Sequence, residues 1–474
     1  MSTRRDFLIT AAAAATGGAL AAQETRRPNI LFFFPDQQRF DWTTLNTGLP
    51  LRTPNLDALR GRGIQFTNAF VGSPLCAPSR ACLAAGAEYD DCGVASNAVD
   101  FPAERTTYYG LLRESGYHVI GCGKLDLHKA TEDWGLDGRR LVREWGFSDA
   151  IDNAGKHDAV RSGKIKPHDP YMGMLHSRDL ARVHLEDFAR RGKGGEYADT
   201  APTALPEDAY CDNWLAENGL KLLRAAPKDK PWHLVVNFTG PHSPMDITRR
   251  MDRECRGRDF PQPHRSTQFD ANRHVAIRQN YSAMVENVDR WLGLYVQELR
   301  RRGELDNTLI VYSSDHGDML GDHDRWGKTL PWEPSMHVPL VVAGPGVKRS
   351  KPNASPVLVH DLAATFLDYA GASKPRSMHS ESFRPVLEGR SQSHREYVRS
   401  GLGSWRAVTD GRYKLIRGYD PALTRFKDGP MAAGPVFLYD LEADPGEDRS
   451  LAEKEPKRTK KMLDLLPSLV SHPV

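Results

Sequence analysis

The sequence predicts an α/β fold with a large, mostly parallel sheet, because short β-rich runs alternate with helical stretches along its 474 residues. The first run, residues 29–34, is continuously apolar and ends at Pro35-Asp36, as expected of a strand buried on both faces. Further strand candidates are residues 118–120, 233–238 and 308–312. Residues 273–302 carry apolar side chains at helical spacing and precede Gly303, which predicts one long amphipathic helix.

The composition changes twice along the chain. Residues 129–207 are rich in Gly, His, Asp and Arg and have weak periodicity, and long segments of this kind are usually functional or mobile. We expect them to form an insertion over the functional site of a main domain, residues 23–372. Alternating runs and Asp-Gly or Asp-Pro turns then predict a smaller C-terminal subdomain, residues 373–474, with an antiparallel sheet. Its predicted strands are residues 405–409, 413–416 and 436–441.

The N-terminus has the pattern of an export signal. Arg4-Arg5 precede a soft apolar run over residues 9–22, which ends in small residues before a cleavage site at Gln23. The alternative is a membrane anchor, but the run is shorter than the roughly 18 to 20 residues that a spanning helix needs. We therefore predict that residues 1–22 are a twin-arginine signal peptide. This implies the twin-arginine export machinery as a partner and a soluble mature protein, periplasmic or secreted.

Charge and cysteine content exclude some classes of protein. The 64 basic and 61 acidic residues leave a net charge of +3, which gives no reason to expect nucleic acid as a partner. The chain has six cysteines. Proteins that use the twin-arginine route fold in the cytoplasm, where thiols stay reduced, so we expect one or two disulfide bridges at most.

The most informative segment is residues 76–80, with the sequence CAPSR, which opens a predicted helix that ends at Gly86. A cysteine at a helix N-terminus lies among unpaired amide groups, and this makes its thiol reactive and favours anionic oxygen beside it. For a lone cysteine, an ordinary buried position in a turn would be the default interpretation. This segment, however, resembles the signature Cys-x-Pro-Ser-Arg of the sulfatase family, and other positions of that family also fall in register.

The resemblance implies a fold and a chemistry. Sulfatases have an alkaline-phosphatase-like fold and hydrolyse sulfate esters with a divalent metal ion and a formylglycine (3-oxoalanine) nucleophile. It therefore implies that Cys76 is oxidised to formylglycine by a formylglycine-generating or equivalent maturation enzyme, and that residues 23–372 are the catalytic domain. Export fits a sulfated carbohydrate, or another small sulfate ester, as the substrate.

Two pairs of ligand-type residues follow predicted strands. Asp36-Gln37 and Asp315-His316 each lie just past a strand, which is where open α/β sheets bind their ligands. The resemblance makes both pairs metal ligands together with Cys76, although Gln37 stands where the family usually has a second carboxylate. Oxygen-rich ligation favours Ca²⁺, whereas the imidazole leaves Mg²⁺, Mn²⁺ or Zn²⁺ open. The alternative is that either aspartate only caps a helix or turn.

The resemblance also implies groups that hold the nucleophile and the sulfate. Arg80, one helical turn after Cys76, resembles the family arginine that holds the nucleophile's oxygen. Lys124 resembles the lysine of a family Lys-x-His segment, in which the lysine binds sulfate and the histidine acts on the nucleophile's second hydroxyl. Asp126 stands where that histidine would fall. Along an extended segment residue 128 shares a face with residue 124, so we expect His128 to reach the same pocket, with Asp126 orienting it as an alternative.

Two later residues complete the predicted site. His242, in a Gly-Pro-His-Ser-Pro segment after a strand, resembles the family histidine that contacts the ester oxygen and protonates the leaving group. Lys328 resembles the family lysine that binds sulfate beside it. Two other functions stay open. One is a phosphonate monoester or phosphodiester hydrolase, which shares the scaffold and often has Asp-Gln at the position of Asp36-Gln37, and the other is a non-catalytic binder of sulfated glycans.

Overall fold

The computed structural model describes residues 27–44, 48–423, 426–429 and 431–467. The predicted signal peptide, residues 1–22, lies outside these ranges. Within them, no helix combines the length and the apolar character needed to cross a bilayer.

The described chain forms a mixed α/β fold. The strands are β1 (Asn29–Asp36), β2 (Ile64–Phe66), β3 (Ala69–Phe70), β4 (His118–Gly123), β5 (Asp149–Asp152), β6 (Trp232–Pro241), β7 (Thr308–Ser313), β8 (Leu340–Ala343), β9 (Val357–Leu358), β10 (Val398–Leu402), β11 (Trp405–Thr409), β12 (Tyr413–Arg417) and β13 (Val436–Asp440). The helices are α1 (Pro54–Arg60), α2 (Cys76–Ala85), α3 (Tyr108–Glu114), α4 (Gly155–Ser162), α5 (Pro170–Ser177), α6 (Ala181–Gly194), α7 (Cys211–Ala225), α8 (Arg249–Cys255), α9 (Ala271–Arg302), α10 (Glu333–Met336), α11 (Asp361–Ala370), α12 (Arg384–Leu387) and α13 (Pro456–Leu463).

The main sheet has seven strands in the order β2-β8-β7-β1-β6-β4-β5. The strands from β7 to β5 run parallel to one another, whereas β8 is antiparallel to both β7 and β2. β1 lies in the middle and all of its residues are buried, because helices cover both faces of the sheet. The predicted large, mostly parallel sheet is therefore confirmed.

Side chains of β1 alternate between the two hydrophobic layers. Phe32 and Phe34 pack into the layer that contains α2, α3 and α11. Leu31 and Phe33 pack into the opposite layer, with α7 and the long helix α9. The prediction of α9 is confirmed, including its end at Gly303, whose φ of 71° suits a residue without a Cβ.

The C-terminal region forms the predicted antiparallel sheet, with β10, β11, β12 and β13 in sequential order. One face of this sheet packs on the main domain through Trp405 and Ile416, which share a hydrophobic cluster with Phe70 and Met336. The indole of Trp405 also donates to the carbonyl oxygen of Thr329 at 3.2 Å. The sheet therefore supports the loop in which Lys328 lies.

Residues 129–207 contain more regular structure than their weak periodicity suggests. Residues Asp149–Asp152 form the edge strand β5 of the main sheet, and α4, α5 and α6 follow. Trp134, Tyr171 and Leu175 give this segment a small hydrophobic core of its own. The domain boundaries stay a prediction, but the segment is joined to the main sheet through β5.

Candidate active site

Four adjacent strands end at the candidate site. Asp36 is the last residue of β1, Lys124 follows β4, His242 follows β6 and Asp315 lies two residues beyond β7. Because β7, β1, β6 and β4 are neighbours and parallel, their carboxyl ends meet at one edge of the sheet. Residues that are distant in the sequence converge there for this reason.

Cys76 reaches the same edge from the N-terminus of α2, where Leu75 is the N-cap in an extended conformation. Its Sγ atom lies 2.7 Å from Lys328 Nζ, 3.3 Å from His316 Nε2 and 3.9 Å from Asp36 Oδ1. Ligand atoms of Cys76, Asp36, Asp315 and His316 all lie within 4.8 Å of one another, and the four residues are buried. Sequence reasoning had predicted each of these residues.

The electrostatic environment at residue 76 favours an anion. Burial and the charge of Asp36 raise the pKa of the Cys76 thiol, but Lys124, Lys328 and His316 outweigh them and hold that pKa well below its ordinary value. An oxygen nucleophile at this position would experience the same field. The site is therefore built to stabilise negative charge at the side chain of residue 76.

The two aspartates and His316 have the properties of metal ligands. Burial and the charge of Asp36 raise the pKa of Asp315. Burial acts on Asp36 in the same direction, but the charges of Lys124 and Lys328 outweigh it and hold the pKa of Asp36 well below its ordinary value. His316 Nδ1 donates to the carbonyl oxygen of Gly317 at 3.0 Å, because a carbonyl can only accept. This bond turns Nε2 toward the cluster, as in protein sites that bind a metal through imidazole. Although burial opposes the shift, the charge of Asp315 raises the pKa of His316.

Gln37 is oriented by its amide nitrogen. Its Nε2 atom donates to Asp318 Oδ2 at 2.7 Å and to the hydroxyl of Tyr197 at 3.0 Å, while its backbone N–H donates to Asp315 Oδ1 at 3.0 Å. Its Oε1 atom is buried and has no hydrogen-bond partner among the described atoms. A buried amide oxygen without a partner is costly unless a ligand occupies it, so Gln37 fits a metal site.

Arg80 connects the nucleophile helix to the strand ends. Its guanidinium donates to Asp315 Oδ2 at 3.0 Å, to the backbone oxygen of Lys124 at 2.7 Å and to Asn237 Oδ1 at 2.9 Å. It also lies over the ring of Phe34, with 5.0 Å between Cζ and the ring centroid. Four directed contacts fix this cation beside the cluster.

Lys124 lies at the site, but His128 does not reach it. Lys124 Nζ makes a close ion pair with Asp36 and lies 3.2 Å from Asp126 Oδ2. His128 Nε2 instead faces Asp152 Oδ2 at 3.0 Å, and His128 is absent from the residues that line the cavity at Cys76. The expectation of a shared face required an extended segment, which ends at Asp126 because its φ is 54°.

Lys129 takes up the space that was expected for His128. Lys129 Nζ donates to Asp126 Oδ2 at 3.0 Å and also contacts Asp158 at 2.5 Å. Asp126 therefore binds two ammonium groups through one oxygen, while its buried Oδ1 atom has no hydrogen-bond partner among the described residues. Sequence reasoning missed Lys129, because a lysine outside any recognised segment gives no signal.

His242 and Lys328 lie on the open side of the cluster. His242 Nδ1 donates to the carbonyl oxygen of Ser243 at 2.5 Å, which leaves Nε2 available. Burial, followed by the charge of Lys328, lowers the pKa of His242, although the charge of Asp36 opposes this shift. Both side chains line the cavity that contains Cys76.

This cavity has a volume of about 200 Å³. The lining residues that sequence reasoning did not single out include Asn97, Lys129, His157 and Glu196. Asn97 Oδ1 accepts from the backbone N–H of Ala77 at 3.0 Å, and His157 Nε2 lies 2.9 Å from Glu196 Oε1. The last three belong to the 129–207 segment, whose richness in His and Arg was the one available signal.

Comparison with known proteins decides the family. Residues 28–372 match the family model described as Sulfatase, and residues 321–470 match the model described as N-sulphoglucosamine sulphohydrolase, C-terminal. The chain belongs to the sulfatase family. It is therefore a sulfuric ester hydrolase with the alkaline-phosphatase-like fold that the sequence predicted.

Relatives match this sulfatase over nearly its whole length. An arylsulfatase of Clostridium perfringens is 26% identical and covers 90% of this chain and 91% of its own length. An N-acetylglucosamine-6-O-sulfatase of Bacteroides thetaiotaomicron is 25% identical over 93% of this chain and 86% of its own. A choline-sulfatase of Rhizobium meliloti is 29% identical over 90% of this chain and 83% of its own length.

Solved structures share the fold. The phosphonate monoester hydrolase of Agrobacterium radiobacter superimposes with a TM-score of 0.73 at 23% identity, covering 93% of this chain and 95% of that one. A protein solved with its substrate D-glucosamine-2-N,6-O-disulfate gives a TM-score of 0.71 at 21% identity, covering 93% and 97%.

Proposed function

We propose that this sulfatase hydrolyses a sulfate ester of a carbohydrate, with a formylglycine formed from Cys76 as the nucleophile and one divalent metal ion. The observation that carries the proposal is the convergence of Cys76 with Asp36, Asp315 and His316 within 4.8 Å. A formylglycine hydrate supplies two hydroxyl groups, one to attack sulfur and one whose deprotonation releases the sulfate. Conversion of the thiol requires a formylglycine-generating or equivalent enzyme as a partner.

The donor set supports one divalent metal ion. Asp36, Asp315 and the Nε2 of His316 offer two carboxylates and one nitrogen beside residue 76, and Gln37, next to Asp36 in the chain, adds a buried Oε1 without a hydrogen-bond partner among the described residues. Such an ion, when bound, neutralises charge on the nucleophile and the ester oxygens. Oxygen-rich ligation makes Ca²⁺ our first choice, and Mg²⁺, Mn²⁺ or Zn²⁺ fit the imidazole better. Metal analysis of the purified enzyme, followed by removal and stepwise replacement, identifies the ion.

The remaining cations hold and neutralise the sulfuryl group. Lys328 Nζ lies 2.7 Å from Cys76 Sγ, and Arg80 and Lys124 contact the carboxylates behind it. Positive groups that are already fixed in place stabilise charge that develops in the transition state at little reorganisation cost. We assign sulfate binding to Lys124 and Lys328, and the fixing of the nucleophile to Arg80.

Two side chains are assigned to proton transfer. His242 directs its Nε2 atom to the departing alcohol and donates a proton, and the negative charge of a bound ester favours the protonated ring. Asp126 stands where the family Lys-x-His segment has its histidine, and its Oδ1 atom is free to accept. Asp126 does not line the cavity either, but it lies 3.2 Å from Lys124 Nζ, which pairs with Asp36. For this reason we assign to Asp126, rather than to His128, the proton of the nucleophile's second hydroxyl.

The substrate class follows from the cavity and from the relatives. Lysines 124, 129, 156 and 328 line a cavity of about 200 Å³, which suits one anionic group on a small ring. One relative is named as an N-acetylglucosamine-6-O-sulfatase, and one structural neighbour holds a glucosamine disulfate. A screen of sulfated mono- and oligosaccharides for sulfate release tests this class.

A phosphonate monoester or phosphodiester hydrolase is the second candidate. The Asp36-Gln37 start and the fold of the Agrobacterium hydrolase favour it. Matched aryl esters of sulfate, phosphate diester and phosphonate separate the two functions. We expect kcat/KM to be highest for the sulfate ester, and a higher value for the phosphonate would transfer the assignment to the second candidate.

Export is part of the proposal. The Arg4-Arg5 pattern and the following apolar run support a twin-arginine signal peptide and a periplasmic or secreted enzyme. Fractionation of cells that express the full chain tests this assignment. Replacement of both arginines by lysine should retain the protein in the cytoplasm, whereas unchanged export would contradict it.

A further inference from the structure

A second group of metal-ligand type lies apart from the catalytic residues. One ring nitrogen each of His264 and His323 and one carboxylate oxygen of Asp448 lie within 4.8 Å of one another. The three residues come from the segment before α9, from the loop after β7 and from the C-terminal subdomain after β13. No other residue groups of this kind, besides those at Cys76, occur in the part of the chain that the structure describes.

The distance between His264 and Asp448 is close to that between two ligands of one metal ion. His264 Nε2 lies 3.0 Å from Asp448 Oδ1 and 3.1 Å from Oδ2, while His323 Nε2 donates to the backbone oxygen of Gly446 at 2.8 Å, which leaves Nδ1 as the ligand nitrogen of His323. Two ligands of a tetrahedral Zn²⁺, each about 2.1 Å from the metal, are themselves roughly 3.4 Å apart. Arg265 also binds Asp448 Oδ1 at 3.1 Å, so Oδ2 is the freer oxygen.

The backbone at or next to His264, His323 and Asp448 adopts left-handed conformations. Arg265, His323, Asp324 and Glu447 all have positive φ values, of 50°, 56°, 55° and 55°. Such conformations are unfavourable for ordinary residues and concentrate at sites that hold ligands. Three separate segments therefore adopt unfavourable conformations next to the same three side chains.

We propose that His264, His323 and Asp448 form a second metal site, suited to Zn²⁺, that fixes the loop between β7 and Lys328 to the C-terminal subdomain. Two imidazoles and one carboxylate, with water as a fourth ligand, are a common zinc environment, whereas the catalytic site is richer in oxygen.

The site would act on the loop that carries catalytic groups. His323 lies five residues before Lys328, and its ring stacks on Trp332 with centroids 4.8 Å apart. Two loop hydrogen bonds, Met319 N–H to Gly327 O at 2.6 Å and Gly321 N–H to Arg325 O at 2.9 Å, connect the two halves of this loop. A metal at His323 would restrict the loop without touching the substrate.

Zinc binding to the full mature chain tests the proposal. In an Asp36→Asn, Asp315→Asn background, which weakens the catalytic site, calorimetry should still find one Zn²⁺ per chain, and Co²⁺ should give visible absorption from histidine ligation. His264→Gln and His323→Gln should each lower the affinity by more than the roughly 10- to 100-fold that loss of an outer-shell partner costs. His379→Gln is the matched control, because His379 is a half-exposed histidine 3.5 Å from the carboxylate of Asp91.

A second readout separates ligation from loss of folding. Zn²⁺ should raise the melting temperature of the background protein and slow amide exchange over residues 319–328, and Asp448→Asn should remove both effects. Absence of Zn²⁺ binding in the background protein, or equal binding after His264→Gln and His323→Gln, would overturn the site and leave an ordinary His264–Asp448 ion pair. Zn²⁺ binding without slower amide exchange would overturn the proposal that the metal fixes the loop.

Discussion

The two sides of the catalytic cavity are built in different ways. On the nucleophile side, Asp36, Asp315 and His316 are fully buried and follow strand ends, and their ligand atoms lie within 4.8 Å of one another. On the substrate side, His157 and Glu196 lie in the 129–207 segment, and their side chains are 47% and 45% exposed. The difference indicates that the scaffold fixes the chemistry, whereas the added segment is free to determine the substrate.

The comparison has an energetic consequence. On the nucleophile side, every substitution leaves a buried charge without its partner, which is expensive because water cannot replace that partner. On the substrate side, water reaches the groups and compensates for a lost contact. We therefore expect effects on turnover that are large on the first side and small on the second.

The largest effect is expected for Cys76→Ala. Removal of a nucleophile that acts together with its neighbours costs up to about 10⁶-fold in kcat. Cys82→Ala is the matched control, because Cys82 is a second buried cysteine of the same helix α2. It should lower stability and keep turnover, as measured by sulfate release. Near-normal turnover of Cys76→Ala would remove the basis of the comparison.

Loss of a metal ligand should come next. Asp315→Asn, or treatment of the native enzyme with a chelator, should lower kcat/KM by at least about 10³-fold, the upper range for removal of one electrostatic stabiliser. Added metal should restore the chelated native enzyme but not the variant. Full activity of a metal-free preparation would contradict the proposed role of Asp315 and its neighbours.

The pair Asp126 and His128 sharpens the boundary between the two sides. Asp126→Asn should lower kcat by about 10²-fold, at the low end for a lost general base. His128→Asn should act mainly through stability, because His128 contacts Asp152 and two tryptophans instead of the cavity. Melting temperatures and kcat measured side by side decide the assignment, and the reverse ranking in kcat would return the role to His128.

The smallest effect is expected at His157. Hydrogen bonds to Asp158 and Glu196 raise the pKa of His157 to about 9 despite partial burial, so the imidazolium is present below this pH and is lost above it. KM for an anionic substrate should therefore rise by up to about five-fold as pH increases through 9, since an exposed ion pair is worth up to about 1 kcal/mol. In His157→Gln this rise should be absent. An identical KM profile in both proteins would exclude contact between His157 and the substrate.

The sequence predicted the nucleophile side far better than the substrate side, for a physical reason. Asp36 and Asp315 follow uninterrupted apolar runs, and an apolar run locates a central strand and therefore the edge where its ligands lie. Lys129 and Glu196 follow no such run, and tertiary packing alone brings them to the cavity. His128 was placed incorrectly because one left-handed residue, Asp126, ends the alternation on which the inference depended.

Peptide mass spectrometry of residue 76 in active enzyme tests the central claim most directly, with an aldehyde-reactive hydrazide as a trapping reagent. If the account is correct, the active fraction carries formylglycine at position 76, and its specific activity increases in proportion to the aldehyde content. Fully active enzyme that retains an unmodified thiol at Cys76 would contradict it.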